Sequence, residues 1–268
     1  MRIGCQTFTW EMLGDDWAGS TGDVVRAIGA AGYAGIEITN NMIGGYDRDA
    51  ESFKRLLSEQ GLTFVAYAFS TPSGFTVEEK TDDELAAISS AMDFIAKFPG
   101  TVLSLGCPTD HRGIGDAKAV EIAGHIFNRA GEMGRARGIP VAFHPSSHHG
   151  SVVVTREQYE AIMAATDPKL VKWVPDTGHI IRGSQDILET LSLFQDRIAY
   201  VHLKDASQAG KWKMMGAGDC DIPGVIAHLH DKIGFDGWVI GEEESDEAGL
   251  DPAAAVKLNR EYLARIIG

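Results

Sequence analysis

WVPDTGHIIRG, residues 173–183, contains the feature that decides the fold: an apolar run that ends abruptly at Asp176, with Thr-Gly and then His179 after it. A buried strand that ends in this way presents a carboxylate at its carboxyl edge, with an imidazole a few residues on. An ordinary Asp-x-Gly turn that leads out of the core would look the same. Evidence from the rest of the chain is needed to distinguish a simple turn from a strand end that carries a functional group.

Short apolar strand patterns alternate with longer amphipathic patterns along the whole chain. In the amphipathic patterns, apolar residues recur near i, i+3, i+4 and i+7, and several patterns end in glycine, as helices often do. The predicted strands are RIGCQ (2–6), GIEI (35–38), TFVAYAF (63–69), TVLSL (101–105), PVAFH (140–144), VKWVP (171–175), IAYVHL (198–203) and GWVIG (237–241). The clearest predicted helices cover 23–31, 50–60, 84–98 and 119–138.

This alternation predicts parallel strands joined by right-handed crossovers. Eight such units in a chain of 268 residues match the size of a (β/α)₈ barrel. We therefore expect an α/β protein with one TIM-barrel domain over residues 1–268. A doubly wound open sheet is the alternative, but the first strand is not followed by the phosphate-binding GxGxxG pattern. The glycine-rich GAGDCD at 216–221 comes late, after the seventh strand.

Charge and cysteine content narrow the class of partner. The chain has 24 Lys+Arg against 38 Asp+Glu, a formal net charge of -14, which disfavours nucleic acid or an anionic membrane as its main partner. No run is long and apolar enough to span a membrane, and the N-terminal residues lack a signal-peptide pattern. Three scattered cysteines without CxxC spacing argue against disulfides and a zinc-thiolate site, so we expect a cytoplasmic protein.

Polar residues stand at the predicted carboxyl ends of several strands, where barrels of this kind carry their chemistry. Four consecutive strands supply imidazole and carboxylate groups, a ligand set that suits a divalent metal. These four residues are His144, Asp176, His202 and Glu242. Strand alternation places Lys204 on the face of His202 and turns Glu243 away from Glu242. Each residue alone could be an ordinary polar or capping group, but the four together predict a metal site.

Three motifs resemble those of the xylose isomerase-like superfamily of metal-dependent barrels. They are WVPDTGH (173–179), YVHLKD (200–205) and GWVIGEEE (237–244), and the likeness covers nearly the whole chain. The resemblance implies that Asp176, His202 and Glu242 are metal ligands. At the fourth strand end, His144 in AFHPSSHHGS (142–151) stands where epimerases of the family carry Glu. A histidine-rich segment here is similar to that of inosose dehydratases, although inserted residues leave His148 and His149 without firm counterparts.

The resemblance also implies a reaction. We expect a metal-dependent lyase or isomerase, similar to inosose dehydratase, that removes a proton next to the carbonyl of a keto-sugar or keto-cyclitol. The intermediate would be an enediolate stabilised by the metal. A ketose 3-epimerase or sugar isomerase with the same site is the alternative, followed by a non-catalytic barrel that binds a small molecule. The preferred cofactor is Mn²⁺, with Co²⁺, Mg²⁺, Zn²⁺ and Fe²⁺ open, and a homo-oligomer is the family-level expectation.

The candidate residues divide into two groups. The catalytic candidates are Glu242, Lys204, His144 and His179, and the substrate-binding candidates are Glu37, His148, His149, Trp10 and Arg182. Several have structural alternatives: a turn cap for His179, a salt bridge for Glu37 and a place in the core for Trp10. The sequence leaves open the substrate, the metal and the choice between dehydration, epimerisation and isomerisation.

Overall fold

Eight parallel strands form a ring in the computed structural model, which describes residues 1–267. The ring strands are β1 (Arg2–Gln6), β2 (Gly35–Thr39), β3 (Thr63–Phe69), β4 (Val102–Leu105), β5 (Val141–Phe143), β6 (Val171–Trp173), β7 (Val201–Leu203) and β10 (Trp238–Gly241). Each of β1 to β5 pairs with the next strand along the chain, and β10 lies between β7 and β1. A two-stranded hairpin, β8 (Asp205–Ala206) with β9 (Trp212–Lys213), follows β7.

The ring closes between β6 and β7 through isolated contacts instead of a continuous ladder. The N–H of Ala199 donates to the carbonyl of Trp173 at 2.8 Å, and the N–H of His202 donates to Pro175 at 2.8 Å. Proline has no N–H to return, so regular pairing stops there. For this reason β6 and β7 are shorter than their predicted ranges of 171–175 and 198–203. The predicted (β/α)₈ barrel is confirmed, and β1 and β3 have their predicted bounds.

Helices surround the ring. They are α1 (Phe8–Glu11), α2 (Thr21–Ala30), α3 (Ala50–Glu59), α4 (Thr81–Ile95), α5 (Asp116–Arg137), α6 (Arg156–Ala165), α7 (Thr177–Arg182), α8 (Ile187–Leu193), α9 (Ile222–His228), α10 (Asp246–Leu250) and α11 (Pro252–Ile267). Capping boxes start α2 at Ser20 and α6 at Thr155. Gly138 ends α5 in the left-handed conformation, with φ of 69°. Within residues 1–267 no helix has the length and apolar character needed to cross a membrane.

The core has two parts. The larger lies between the outer face of the ring and the helices, and Val201 and Leu203 point into it. The smaller lies inside the ring and includes four residues that each precede a candidate ligand by two positions. They are Ala142, Val174, Tyr200 and Ile240. Because side chains two apart on a strand share a face, this apolar layer forms a floor directly beneath the candidate metal ligands.

Candidate active site

Four side chains from β5, β6, β7 and β10 converge above this floor. One ligand atom from each of His144, Asp176, His202 and Glu242 lies within 4.8 Å of the others. His202 Nδ1 is 2.6 Å from Glu242 Oε2 and 3.8 Å from Asp176 Oδ2. His144 Nε2 is 3.7 Å from that same Asp176 oxygen. The strand ends therefore place two imidazole nitrogens and two carboxylate oxygens around one point.

These same four atoms are buried and make no hydrogen bond of regular geometry, although His202 Nδ1 and Glu242 Oε2 are close enough for an ion pair. Buried polar atoms are nearly always paired, so four unpaired atoms that face one another indicate a missing shared partner. Two carboxylates balance a divalent charge, and the mixed nitrogen and oxygen set suits Mn²⁺, Zn²⁺ and related ions. The residues present thus fit a divalent cation.

Asp176 uses its two oxygens for different tasks. Oδ1 accepts the backbone N–H of His179 at 2.8 Å and so caps the start of α7, whereas Oδ2 faces the ligand cluster. Burial would raise the pKa of Asp176, but the nearby ammonium of Lys204 holds it well below its usual range. Asp176 therefore caps a turn, as one alternative from the sequence predicts, and also presents a carboxylate oxygen to the candidate ligand cluster, as the other requires.

His202 is oriented from behind by Glu37. Glu37 on β2 is buried, and its Oε2 lies 2.7 Å from His202 Nε2, which leaves Nδ1 free to face the cluster. A carboxylate behind a histidine in this way fixes the ring of a metal ligand. Although burial disfavours the imidazolium, the carboxylates of Glu37 and Glu242 raise the pKa of His202 to about 10. For Glu242, burial opposes ionisation, but Lys204 and His202 hold its pKa well below the ordinary value.

Lys204 lies beside the cluster as a buried cation. Its Nζ donates to Glu242 Oε1 at 2.9 Å and also contacts Glu244 Oε1. The ammonium lies 4.2 Å from the ring centroid of Trp212 on the β8–β9 hairpin. Burial disfavours the charge, yet Glu242, Glu244 and Asp176 raise the pKa of Lys204 above its usual range. At neutral pH this side chain is an ammonium and therefore a proton donor.

His179 on α7 completes the polar wall next to Lys204. Its Nε2 lies 3.4 Å from Lys204 Nζ, and its Nδ1 accepts from the loop after β5 at Ser147. Burial and the adjacent ammonium of Lys204 lower the pKa of His179 well below the ordinary value. This imidazole is neutral where it stands.

A second set of close ligand atoms comes from His148, His179 and Glu244. The Nζ of Lys204 contacts two of these three residues, so a positive charge is already in place there. A second cation would be repelled by this ammonium. This set is therefore a poorer fit to a metal ion than the four strand-end residues.

The other predicted substrate contacts lie at different depths. His148 is half-exposed, with Nε2 3.5 Å from Glu244 Oε2, and His149 is exposed on the same loop. Trp10 lies in the apolar core with 5% exposure. The guanidinium of Arg182 stacks on Trp212 at 4.1 Å from the ring centroid. Glu37 stands behind His202 inside the barrel and not at the open rim.

Three residues near the site are absent from the predicted set. Glu244 shares the strand parity of Glu242, and this alternation was the signal that could have found it. Trp212 reaches the site from the short β8–β9 hairpin and Ser147 from a loop, and no periodic pattern predicts where these side chains lie. The glycine-rich stretch 216–221 also has a structural explanation: its N–H groups at Gly216, Gly218 and Cys220 donate to the buried carboxylate of Asp205.

Comparison with known proteins places the chain in a family of barrels. The sequence model of the family described as xylose isomerase-like TIM barrel matches residues 25–266. The chain belongs to this family. Among its curated relatives is an inosose dehydratase of Geobacillus thermodenitrificans, 25% identical over 303 aligned positions that cover 100% of this chain and 98% of the relative.

Solved structures of the family share the fold at low sequence identity. The 3-keto-D-glucoside 4-epimerase YcjR of E. coli superposes with a TM-score of 0.79 at 17% identity, covering 99% of each chain. The IOLI protein, solved with a bound zinc atom, gives a TM-score of 0.80 at 17% identity and covers 100% of this chain and 98% of its own. At these identities the likeness supports the xylose isomerase-like fold alone.

Proposed function

We propose that this protein is a metal-dependent lyase that removes water from a keto-cyclitol or keto-sugar, with an activity like that of inosose dehydratase. Relatives named inosose dehydratases along the full chain, within a family of sugar isomerases and epimerases, indicate an enzyme that modifies sugars or cyclitols. The observation that carries the finer proposal is the combination of four unpaired ligand atoms with a buried ammonium beside them.

The residues that would hold the cation are His144, Asp176, His202 and Glu242. When bound, the cation would polarise the carbonyl and a neighbouring hydroxyl of the substrate and so stabilise the negative charge that develops when the α-proton leaves. We propose Mn²⁺ as the ion, although the zinc atom in the IOLI structure makes Zn²⁺ the first ion to compare with it.

His148 is the group we assign to remove the α-proton. Glu242 is the other nearby base, but Oε1 pairs with Lys204 and Oε2 faces the ligand cluster. His148 stands at the half-exposed rim with Glu244 beside its Nε2, within reach of both substrate and solvent. A positioned imidazole contributes a factor of about 10² to 10⁴ in such a step.

Lys204 supplies the second proton. When the C–H bond breaks, its electron pair forms a carbon–carbon double bond to the carbonyl carbon, and the carbonyl π pair moves onto oxygen, which gives an enediolate. In the second step the carbonyl re-forms, the carbon–carbon pair moves to make the new double bond to the β-carbon, and the C–O bond there breaks with its pair on oxygen. That oxygen takes a proton from the Lys204 ammonium and leaves as water. The proton on His148 then restores Lys204 through solvent, so the enzyme is unchanged after each turnover.

The nature of the acid and base groups around the site favours dehydration over epimerisation. Epimerisation at one carbon needs a base on one face and an acid of similar strength on the other. The imidazole of His144 has its Nε2 turned to Asp176 in the ligand cluster. Lys204, held as an ammonium by two carboxylates, is suited to protonate a leaving hydroxyl.

The test follows 2-keto-inositol and a panel of ketoses in D₂O by NMR, with Mn²⁺ or Zn²⁺ supplied. We expect loss of water from the keto-inositol. His148→Asn should abolish both α-proton exchange and water loss, whereas Lys204→Met should keep exchange and slow water loss by about 10² or more.

Two surface residues serve as matched controls: His125→Asn, an exposed histidine on α5, and Lys211→Met, a surface lysine paired with Asp246. Both should behave as wild type. Deuterium entering a ketose without loss of water would instead show an epimerase or isomerase. Absence of exchange with every compound would oppose the proposed chemistry.

A further inference from the structure

The loop after β5 crosses the rim and contacts the imidazole of His179. The backbone N–H of Ser147 donates to His179 Nδ1 at 2.9 Å, and the Ser147 hydroxyl lies 2.8 Å from the same nitrogen. A backbone amide can only donate, so Nδ1 must accept. A neutral imidazole carries one proton, and the hydrogen bond at one nitrogen decides where that proton is. The His179 proton is therefore on Nε2.

This tautomer brings two donors together. His179 Nε2 lies 3.4 Å from the Nζ of Lys204, an ammonium with three N–H groups and no acceptor. Two of those N–H groups are directed at Glu242 and Glu244, which leaves one on the side of His179. An Nε2–H and an Nζ–H cannot bond to each other. Both can donate to a single oxygen atom that approaches them from the substrate side.

Among residues 1–267, Lys204 Nζ is the one group within hydrogen-bond distance of His179 Nε2. The ring is 2% exposed and packed edge-on against Trp212, with centroids 5.0 Å apart, so it cannot turn away to find another partner. A buried donor with no acceptor is costly, and an oxygen atom of the substrate would satisfy it.

We propose that Ser147 is a positioning residue that fixes the Nε2–H tautomer of His179, so that His179 and Lys204 together form a two-donor site for the departing oxygen of the substrate. This rests on the proposed dehydration. The oxygen gains negative charge as its bond to carbon breaks, and two preorganised donors stabilise that charge.

The first test measures the tautomer without any substrate. Long-range ¹H–¹⁵N spectra of the ¹⁵N-labelled full chain distinguish a protonated from an unprotonated ring nitrogen, and His179→Phe assigns the resonance. We expect Nε2 protonated and Nδ1 unprotonated in the wild type. Ser147→Ala keeps the backbone N–H and should leave this pattern unchanged, whereas Ser147→Pro removes the donor and should shift the proton toward Nδ1. An Nδ1–H or doubly protonated ring in the wild type would overturn the proposal.

The second test separates two rates on 2-keto-inositol. His179→Phe should slow water loss by about 10²-fold while α-proton exchange continues, because the donors act on the leaving oxygen. A role of His179 in folding alone would lower both rates together. Equal loss of both rates in His179→Phe would contradict the two-donor site. If the wild type does not act on keto-inositol at all, the proposed function fails, yet the tautomer still decides the claim about Ser147.

Discussion

The carboxylate of Asp176 shows how one residue serves both fold and chemistry. Oδ1 caps α7, and Oδ2 faces three other unpaired ligand atoms. The cap fixes the side chain before any cation arrives, so ligand geometry is built into the start of the helix. At the scale of single residues, the site depends on such double use of buried polar atoms.

Glu37 tests this use of buried polar atoms, because among the four candidate ligands it contacts only His202. Glu37→Gln should weaken binding of Mn²⁺ by about 10- to 100-fold, because the imidazole loses the carboxylate that orients it and increases its basicity. Isothermal titration calorimetry measures the change. Glu243→Gln is the matched control: this buried carboxylate faces away, toward Asn259, and its replacement should leave metal affinity unchanged. Equal affinity in both variants would remove Glu37 from the site.

The affinity for Mn²⁺ measured by this titration should depend on pH. In the free protein the carboxylates of Glu37 and Glu242 raise the pKa of His202 to about 10, so His202 holds a proton at neutral pH. A cation at Nδ1 must displace that proton, and affinity should rise about tenfold per pH unit toward this pKa. Calorimetry in buffers of different ionisation enthalpy should show release of about one proton at pH 7. Affinity that does not change with pH would place the cation elsewhere.

At the scale of elements, α7 and the β8–β9 hairpin fit together at Gly178. A Cβ added there would lie 2.8 Å from the Trp212 ring and 3.1 Å from the Lys204 side chain. The glycine of the DTGH motif therefore allows Trp212 to pack close to the cations of Lys204 and Arg182. These two cation–π contacts hold the ring beside the site.

Gly178→Ala should push Trp212 away and destabilise the protein by about 1 to 3 kcal/mol, the usual range for overpacking. Urea unfolding measures the loss, and Trp212 fluorescence reports the displaced ring. Gly45→Ala, where no heavy atom lies within 4 Å of the added Cβ, should cause little change. If the two variants were equally stable, the close packing of α7 on the hairpin would not matter.

The helices, the strands and the polar residues at the strand ends could be predicted, because all of them follow from the spacing of apolar residues along the chain. Alternation along β7 placed His202 and Lys204 on one face, and the contacts of Lys204 with Glu242 agree with it. The positions of Ser147 and Trp212 could not be predicted, because they depend on the path of loops that no repeat describes. The closure of the ring between β6 and β7 could not be predicted either, because it depends on isolated contacts around Pro175.

At the scale of the whole molecule, the ring delivers polar groups from separate strands to one rim above an apolar floor. This apolar floor excludes water from the space beneath the site and lowers the local dielectric constant, so charges at the rim interact strongly. A formal net charge of -14 also attracts cations and repels polyanions. Assembly into a homo-oligomer and a cytoplasmic location stay predictions.

The most direct measurement of the central claim is anomalous diffraction from crystals grown with Mn²⁺ and recorded at the manganese edge. We predict one strong anomalous peak within bonding distance of His144 Nε2, Asp176 Oδ2, His202 Nδ1 and Glu242 Oε2, the four atoms that lack partners in the free protein. A peak beside His148 and Glu244 instead, or no peak at the rim, would contradict the assignment of the metal site and the chemistry proposed from it.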